Sequence, residues 1–552
     1  MDEHTYPGRG LSLSQLVFAL NEELKRVAYS PIFTLEAVSQ LDQDASIASA
    51  AIREWKNSFA RINRIPTDIL SLIPTYLSSQ KDRFHAASVC RHWRRVLLER
   101  GELWSQLFLI KGEDYVSTLL ERAKGCALEI IADRDAPVGT IALISTCAQQ
   151  IRDLEFVQNH LQDIETFSEF NSGRLPLLRS LKIEAFNFHS VPIPPSLAFF
   201  RGSINLERFV FYYHGLPFLS HFVFPNLTTF ELSSRPEEEW SGLYLLDFLG
   251  ASPTLRTVKM DVSAQIVLEG VPQEMVVVLP NVETFSLNLV NGIVRYSYGI
   301  ATHISCPRSR DTSLTHETYD EDMGANPEVF PTPAVWNTIV RQYMASPIEK
   351  VTLNLQRPEC VDDECLLTFR SSDETIVRLG FKVYTTDGDE DGSNIPRATI
   401  GREILCQALT AIRRHPLLSH VKRLHINCRA AMWHIFRVVR MSNEVPELFD
   451  SLGPLDELIL DGCDSRVFFP TFVDIDSLEK PHVLPQIKDL TILHPLVGIP
   501  VMEWMNGIVE LAKAHYARGM PFECVTVRMW RLPIEMAEEL RPWVGVVDCR
   551  ED

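Results

Sequence analysis

No stretch of the chain reaches the eighteen or so consecutive apolar residues of a membrane span, and its opening, MDEHTYPGRG, lacks a basic start followed by an apolar run. The expectation is a soluble, unsecreted protein of cytoplasm or nucleus with no membrane partner. Cysteine follows no pattern: the eleven residues include no C-x-x-C, and the closest pair is Cys360 and Cys365. Reduced thiols fit this spacing best, and Cys90, Cys406 and Cys524 read as core thiols. Positive charge is in deficit, with a formal net charge of -19 and a pI near 5.4. That balance opposes a phosphate backbone, so no nucleic-acid partner is expected.

The signatures of catalysis are missing as well. There is no P-loop, no G-x-G-x-x-G after a strand, no G-x-S-x-G elbow and no H-E-x-x-H. His85, His92, His425 and His434 stand isolated. Asp387, Asp389, Asp391 and Gly392 imitate the start of a calcium loop, but its twelfth position, which needs a bidentate carboxylate, is Ala398, and Pro396 interrupts it. Cys360 and Cys365 have no neighbouring His or second cysteine pair to complete a zinc site. The expectation is a non-enzymatic protein with no catalytic residue, metal or cofactor.

What is present begins at Ile62 with INRIPTDILSLIPTYLSSQKDRFHAASVCRHWRRVLLERGELWSQLFL. Ile65-Pro66 opens a helix, because proline at a helix start loses no hydrogen bond. Ile69, Ile73 and Leu77 form an apolar stripe. Pro74 falls inside that helix, where it removes a backbone bond and costs about 3 kcal/mol, so a kink is expected. Ser79-x-x-Asp82 has capping-box spacing and starts a second helix carrying Phe84, Ala87, Val89 and Cys90 inward. A third helix holds Trp93, Val96 and Leu97 and ends at Gly101. About fifty residues in three short helices cannot bury all this apolar surface, and a module so small usually borrows a partner.

Residues 62–109 resemble an F-box, the motif that docks substrate-receptor subunits onto the Skp-type adaptor of cullin-based ubiquitin ligases. The resemblance rests on Ile65-Pro66, Asp68-Ile69-Leu70, Ile73, Leu77, the run Val89-Cys90-Arg91-x-Trp93-Arg94, and Leu103-Trp104. The family's usual Leu-Pro-x-Glu is here Ile65-Pro66-Thr67-Asp68, with the charge kept. The resemblance implies Ile65, Pro66, Ile69, Leu77, Val89, Cys90 and Trp93 as adaptor contacts or their direct support. It also implies a cullin reached through that adaptor.

Residues 1–61 read as an N-terminal helical segment. Within it, 11–27 form a helix with Leu13, Leu16, Val17 and Leu20 inward. Leu41, Ala45, Ala48, Ile52, Trp55, Phe59 and Ile62 then alternate spacings of four and three, the seam of a paired helix. It can dimerise or lie against the F-box. Two alanines and fewer than four heptads favour packing within the chain.

From about residue 120 to 552 the grammar changes. A core of the form apolar-x-x-apolar-x-apolar recurs about 21 to 28 residues apart, the period at which leucine-rich repeats place one strand per turn. Examples are Ile151, Leu154, Phe156; Leu206, Phe209, Phe211; and Leu255, Val258, Met260. It resumes at wider intervals from Ile348, Val351, Leu353 to Phe522, Val525, Val527. Helical stretches lie between, for instance Tyr244–Leu249 and Met502–Ala517, so neighbouring strands should run parallel with helices behind them. The fold class is α/β: N-terminal helices and a three-helix F-box, followed by an irregular, solenoid-like array that resembles degenerate leucine-rich repeats in fungal F-box proteins. The family's turn-binding Asn or Cys is matched only by Asn159 and Cys463.

Two insertions are expected. Residues 304–332 read as a polar mobile loop, and 357–397 as a small hairpin with an acidic tip. Between the apolar core positions both signs are mixed, as in Arg152, Asp153 and Glu155, Glu207 and Arg208, Glu349 and Lys350, and Lys422 and Arg423 before Asp456 and Glu457. No single-signed stripe forms, which suits a protein partner and opposes nucleic acid. The combined reading is a substrate receptor whose array holds an unknown protein substrate. The alternative is a repeat scaffold without a ligase role.

Overall fold

The computed structural model describes residues 15, 18, 19, 21, 22, 25, 26, 35–60, 65–77, 79–133, 136–159, 175–185, 205–213, 223–234, 239–262, 265–290, 299–319, 338, 339, 342, 343, 348–356, 363–384, 420–427, 452–462, 486–493, 501–528 and 534–550. The chain divides into two compact units, Met1–Ile131 and Ala132–Asp552. It is a mixed α/β protein with N-terminal helices and a large, mostly parallel sheet.

In the first unit, the described positions between 15 and 26 are helical. The inward residues expected there, Leu13, Leu16, Val17 and Leu20, lie outside the described residues, as does Ile62. Helix α1 (Leu35–Ser58) follows, then α2 (Thr67–Leu72), α3 (Gln80–Ser88), α4 (Arg91–Leu98), β1 (Gln106–Phe108), α5 (Glu113–Ala123) and β2 (Leu128–Asp133). Strands β1 and β2 pair in parallel, Gln106 opposite Glu129, and the Gln106 amide donates to the Glu129 carboxylate at 2.9 Å. Gly101 opens a 3₁₀ turn (Gly101–Trp104) where a Cβ would lie 2.7 Å from Cys126 Sγ, so the chain there closes against α5 only because the side chain is absent.

The second unit opens with α6 (Val138–Ser145), β3 (Ile151–Asn159), β4 (Ser180–Ala185), β5 (Arg208–Tyr213), β6 (Thr229–Ser234), β7 (Glu239–Ser241), α7 (Gly242–Gly250), β8 (Thr257–Val262) and β9 (Gln265–Val267). It continues with β10 (Val277–Val278), β11 (Thr284–Val290), β12 (Ile304–Ser305), β13 (Asp311–Tyr319), β14 (Ile348–Gln356), β15 (Asp363–Ser371) and β16 (Ile376–Tyr384). The last elements are β17 (Arg423–Asn427), β18 (Leu455–Asp461), β19 (Ile487–Leu493), α8 (Val501–Ala517), β20 (Phe522–Arg528), α9 (Ile534–Leu540) and β21 (Val544–Arg550). Two small parallel pairs, β7–β9 and β10–β12, stand apart from the main sheet.

In that sheet the strands run β3, β4, β5, β6, β8, β11 and β13 in sequence order, all parallel. Next to β13 lies β16, not β14. Strand β15 runs antiparallel between β16 and β14, and β14 then pairs in parallel with β17, after which β18 to β21 follow in order. Residues 363–384 are therefore integral strands of the main sheet rather than an appended hairpin. Likewise the segment read as a loop from 304 contains a nine-residue strand, β13. Its inward positions are Thr312 and Leu314, and the hydroxyl of fully buried Thr312 is satisfied at 2.9 Å by Ser309. A polar residue in a core position broke the apolar pattern without breaking the strand. Cys90 and Cys524, read as core thiols, are half-buried, and Cys406 lies outside the described residues.

The repeated apolar cores form continuous buried rows. One runs Leu154, Leu181, Phe209, Phe230, Val258 and Phe285, and the other Phe156, Ile183, Phe211, Leu232, Met260 and Leu287, all at most 3% exposed. Helix α7 covers them with Leu245, Leu246, Phe248 and Leu249, and the Phe248 ring sits 4.7 Å from that of Phe230. Strand entries from β4 to β13 are tied to the preceding repeat by backbone bonds such as Arg179 N–H to Arg152 O and Glu207 N–H to Arg179 O, both 2.8 Å. Side chains add a second tie: Asn205 and Asn281 donate to the carbonyls of Pro176 and Pro253, and Thr254 to that of Pro225. Here the turn-satisfying polar residues sit before the strands, whereas the leucine-rich pattern places them after.

On the opposite face the alternating charges pair across neighbouring strands: Lys182 with Glu155 at 2.5 Å, Arg208 with Glu231 at 3.1 Å, Lys488 with Asp456 at 2.7 Å, and Arg378 with Asp311. They neutralise one another locally and contribute little each, because most are half-exposed.

Gly380 of β16 faces the charged side, and a Cβ there would lie 2.6 Å from Thr315 Cγ2 and 3.2 Å from Leu366 Cδ1. Gly380→Ala is expected to destabilise the second unit by about 1–3 kcal/mol through overpacking. Adding Thr315→Ser, which deletes that methyl, should recover most of the loss in thermal melts. No recovery would mean the strain lies elsewhere.

Helix α8 buries His515 completely, stacking its ring 4.4 Å from that of Phe522, with Nδ1 3.3 Å from Met520 O. Burial disfavours the charged imidazole and lowers its pKa to about 4. The unfolded chain binds this proton near pH 6.5, so the stability from neutral His515 is complete above that pH. It is lost as pH falls from about 6.5 to 4, up to about 3 kcal/mol. Denaturant unfolding at a series of pH values should show this slope in wild type and a shallower one in His515→Gln.

Candidate functional site

The site is built from α2 to α4. Pro66 occupies the N-cap of α2, one position earlier than expected, and its carbonyl accepts from Leu70 N–H at 2.8 Å. Leu70 is fully buried, and Arg100 donates at 2.9 Å to the Ser71 hydroxyl, which in turn donates to Asp68 O. The α-helix stops at Leu72, and a 3₁₀ turn, Ile73–Tyr76, takes over with Pro74 at its start. Pro74 therefore sits where no N–H is required, and the expected kink becomes a change of helix type that avoids most of the interior penalty.

This geometry changes which residues point in. Leu70 and Pro74 are buried, while Ile69 is 48% exposed and Ile73 and Leu77 are half-buried. The apolar stripe read from the sequence at Ile69, Ile73 and Leu77 is thus offset by one residue from the buried positions Leu70 and Pro74, which leaves Ile69 facing water. With Ile69 outward, Leu72 (49%) and Tyr76 (85%) follow at spacings of three and four, the pattern of one helical face. Neither Leu72 nor Tyr76 was singled out from the sequence, although that spacing was the signal.

Helix α3 starts as its capping box requires: Ser79 Oγ accepts from Asp82 N–H at 3.1 Å and donates to Asp82 Oδ2 at 2.8 Å. Ala86 and Ala87 are buried and Phe84 half-buried, but Val89, expected inward, is 59% exposed. The reason is the break at Cys90, whose extended backbone (φ -159°, ψ 172°) ends α3 and caps α4, turning Val89 outward at the corner. Of the residues named for adaptor binding, Pro66, Ile69 and Val89 are exposed, Ile65, Leu77 and Cys90 half-buried, and Trp93 buried at 6%. Trp93, Val96 and Leu97 line the inner side of α4, so Trp93 acts as support beneath the surface.

Below them Trp104 closes the module. It is fully buried, its indole N–H donates to Leu97 O at 2.9 Å, and its ring lies 5.2 Å from that of Phe84 with the Arg122 guanidinium 5.1 Å away. Tyr115 and Gln80 add a buried-edge bond of 2.6 Å between α5 and α3. The outer surface left by this packing exposes Ile69, Leu72 and Tyr76 on one side of α2 and its 3₁₀ continuation, and Val89 at the end of α3, with Lys81, Arg94 and Arg95 exposed on α3 and α4. This surface can bury aliphatic and aromatic side chains in a partner's groove; it holds no arrangement for bond chemistry.

Among the described residues no group of three or more His, Cys, Asp or Glu can hold a metal ion, and no helix is long and apolar enough to cross a membrane. Asp387, Asp389, Asp391, Gly392 and Cys360 lie outside the described residues.

Comparison with known proteins gives no match to any curated protein. A family model described as F-box-like matches residues 62–110. Residues 62–110 are therefore an F-box-like domain, a kind of domain that generally binds Skp-type adaptors.

Proposed function

We propose that this chain is the substrate-recognition subunit of a cullin-type, Skp-cullin-F-box, ubiquitin ligase. The F-box-like domain docks a Skp-type adaptor through Ile69, Leu72, Tyr76 and Val89, with Ile65, Pro66, Leu77 and Cys90 at the margin and Trp93 beneath. The single observation behind this reading is that four large apolar side chains stay exposed on a domain of this family. Aromatic and aliphatic anchors of this kind carry most of the energy of helix-in-groove interfaces. The second unit, read as a degenerate leucine-rich array, binds a protein substrate. The chain itself is non-catalytic, needs no cofactor, and works in cytoplasm or nucleus, since the transfer chemistry belongs to other subunits.

Affinity capture of the full chain beside one lacking 62–110 tests this. Adaptor and cullin are expected with the full chain and absent with the deletion, while substrate candidates persist in both. Recovery of adaptor without cullin would favour a scaffold outside the ligase, and recovery of neither would overturn the proposal.

A further inference from the structure

On the charged face of the second unit, cations are set beside carboxylates of the next strand, as Lys182 is beside Glu155 and Lys488 beside Asp456. One place departs from this. Where the array reverses its strand order, Arg370 of β15 stands directly opposite Lys350 of β14, and Lys350 directly opposite Arg423 of β17. Alternation with buried Leu367, Phe369 and Ser371 puts Arg370 and Thr368 on the open side. Three cations therefore occupy one row about 10 Å long, in a chain whose net charge is -19. Like charges facing each other across strands destabilise a sheet.

The carboxylates nearby do not neutralise this row. Asp311 is held by Arg378, Asp373 accepts from the Ser371 hydroxyl, and Glu457 reaches Arg423 only at 3.9 Å. The side chains of Arg370 and Lys350 make no ion pair or hydrogen bond among the described residues, not even with Glu349 at the bulge before Lys350 or with Glu374 in the following turn. One step along the same face, Thr368 and Thr352 lie directly opposite each other, half-buried, and their hydroxyls have no partner among the described residues. Guanidinium, ammonium and hydroxyl donors are thus brought together without an acceptor of their own.

That donor set fits a phosphoryl group. It carries close to two negative charges and three acceptor oxygens, and neighbouring strands stand about 4.8 Å apart, so two strands can grip it at once. A carboxylate is already satisfied by one guanidinium fork. A nucleic-acid backbone is opposed, because the row is closed by Glu457 on one side and, past Ile376, by Asp311 on the other. We propose that Arg370, Lys350 and Arg423, with the hydroxyls of Thr368 and Thr352, bind a phosphorylated segment of the protein substrate. This rests on the reading of the second unit as the substrate-binding part.

Fluorescence anisotropy of the full chain with a labelled alanine peptide carrying one central phosphoserine tests this. The same peptide with serine is expected to bind at least about a hundredfold more weakly, and Arg370→Gln and Lys350→Gln each to weaken the phosphopeptide about tenfold. Lys488→Gln removes a cation already paired on the same face and should change the affinity less than about twofold. In phosphate-free buffer Arg370→Gln and Lys350→Gln should melt no lower than wild type, since each relieves a like-charge contact, and added inorganic phosphate should raise wild type more than either variant. Absence of saturable phosphopeptide binding, equal affinity for the serine peptide, an equal loss with Lys488→Gln, variants that melt below wild type without phosphate, or tighter binding of a single-stranded oligonucleotide would each overturn the proposal. Adaptor capture by Arg370→Gln should match wild type, so peptide binding that fails while adaptor and cullin are still captured removes this site alone and leaves the ligase reading standing.

Discussion

Ile69→Asp is expected to abolish measurable binding to a Skp-type adaptor, weakening it at least about a hundredfold. Ile69 is exposed with Leu72 and Tyr76 at helical spacings of three and four on its own face, and Val89 is exposed at the end of the next helix. Burying its side chain is worth about 2 kcal/mol, and a carboxylate forced into an apolar groove loses that and adds its own desolvation, so the sum exceeds the roughly 2.7 kcal/mol of a hundredfold change. Ile69 is half out in water, so the fold should tolerate the change, with unaltered circular dichroism. Tyr76→Ala is expected to weaken binding about tenfold or more, as truncation of an exposed interface aromatic usually does. Calorimetric titration of adaptor into each variant decides it: affinity within about threefold of wild type for Ile69→Asp would remove this face from the interface.

Trp104→Ala is expected to destabilise the first unit by about 3–5 kcal/mol. The change removes a fully buried indole, its bond to Leu97 O and its ring contact with Phe84, and it strips Arg122 of an aromatic face. The lost bond also leaves the Leu97 carbonyl buried, which adds to the cavity term. In denaturant unfolding, the transition of this unit should move to markedly lower midpoint while that of the second unit stays in place. Adaptor binding should fall with it, but as a loss of folded fraction that low temperature restores, unlike the loss in Ile69→Asp. A loss below about 1 kcal/mol would show that the site collapses around the missing ring.

The parallel-rich sheet was legible because each strand repeats the same short pattern, and its apolar positions became the buried rows at Leu154, Leu181, Phe209 and Phe230. Strand β13 was not, since Thr312 replaces an apolar residue and buries its hydroxyl against Ser309, a pairing that periodicity cannot display. The reversal of β14 to β16 was also hidden: β15 and β16 read correctly as strands, but their place in the sheet depends on which neighbours they meet, which is not a local property. In the site, the capping box and Trp93 could be read from spacing alone. The outward face could not, because Pro74 changes the helix type after Leu72 and Cys90 turns the chain at Val89. Both shift which side of a helix meets water without changing the composition that suggested it.

The reversed placement of β14 to β16 has a consequence for how the sheet assembles. Arg378 of β16 pairs with Asp311 of β13 across sixty-seven residues of chain, whereas β4 meets β5 and β5 meets β6 within one repeat. A growing parallel array can add strands one at a time, but here zippering stalls at β13 until a distant segment folds back to continue it. A chain that ends after Tyr319 therefore leaves β13 as an open edge until residues 376–384 are added, and an open edge of this kind can template other chains.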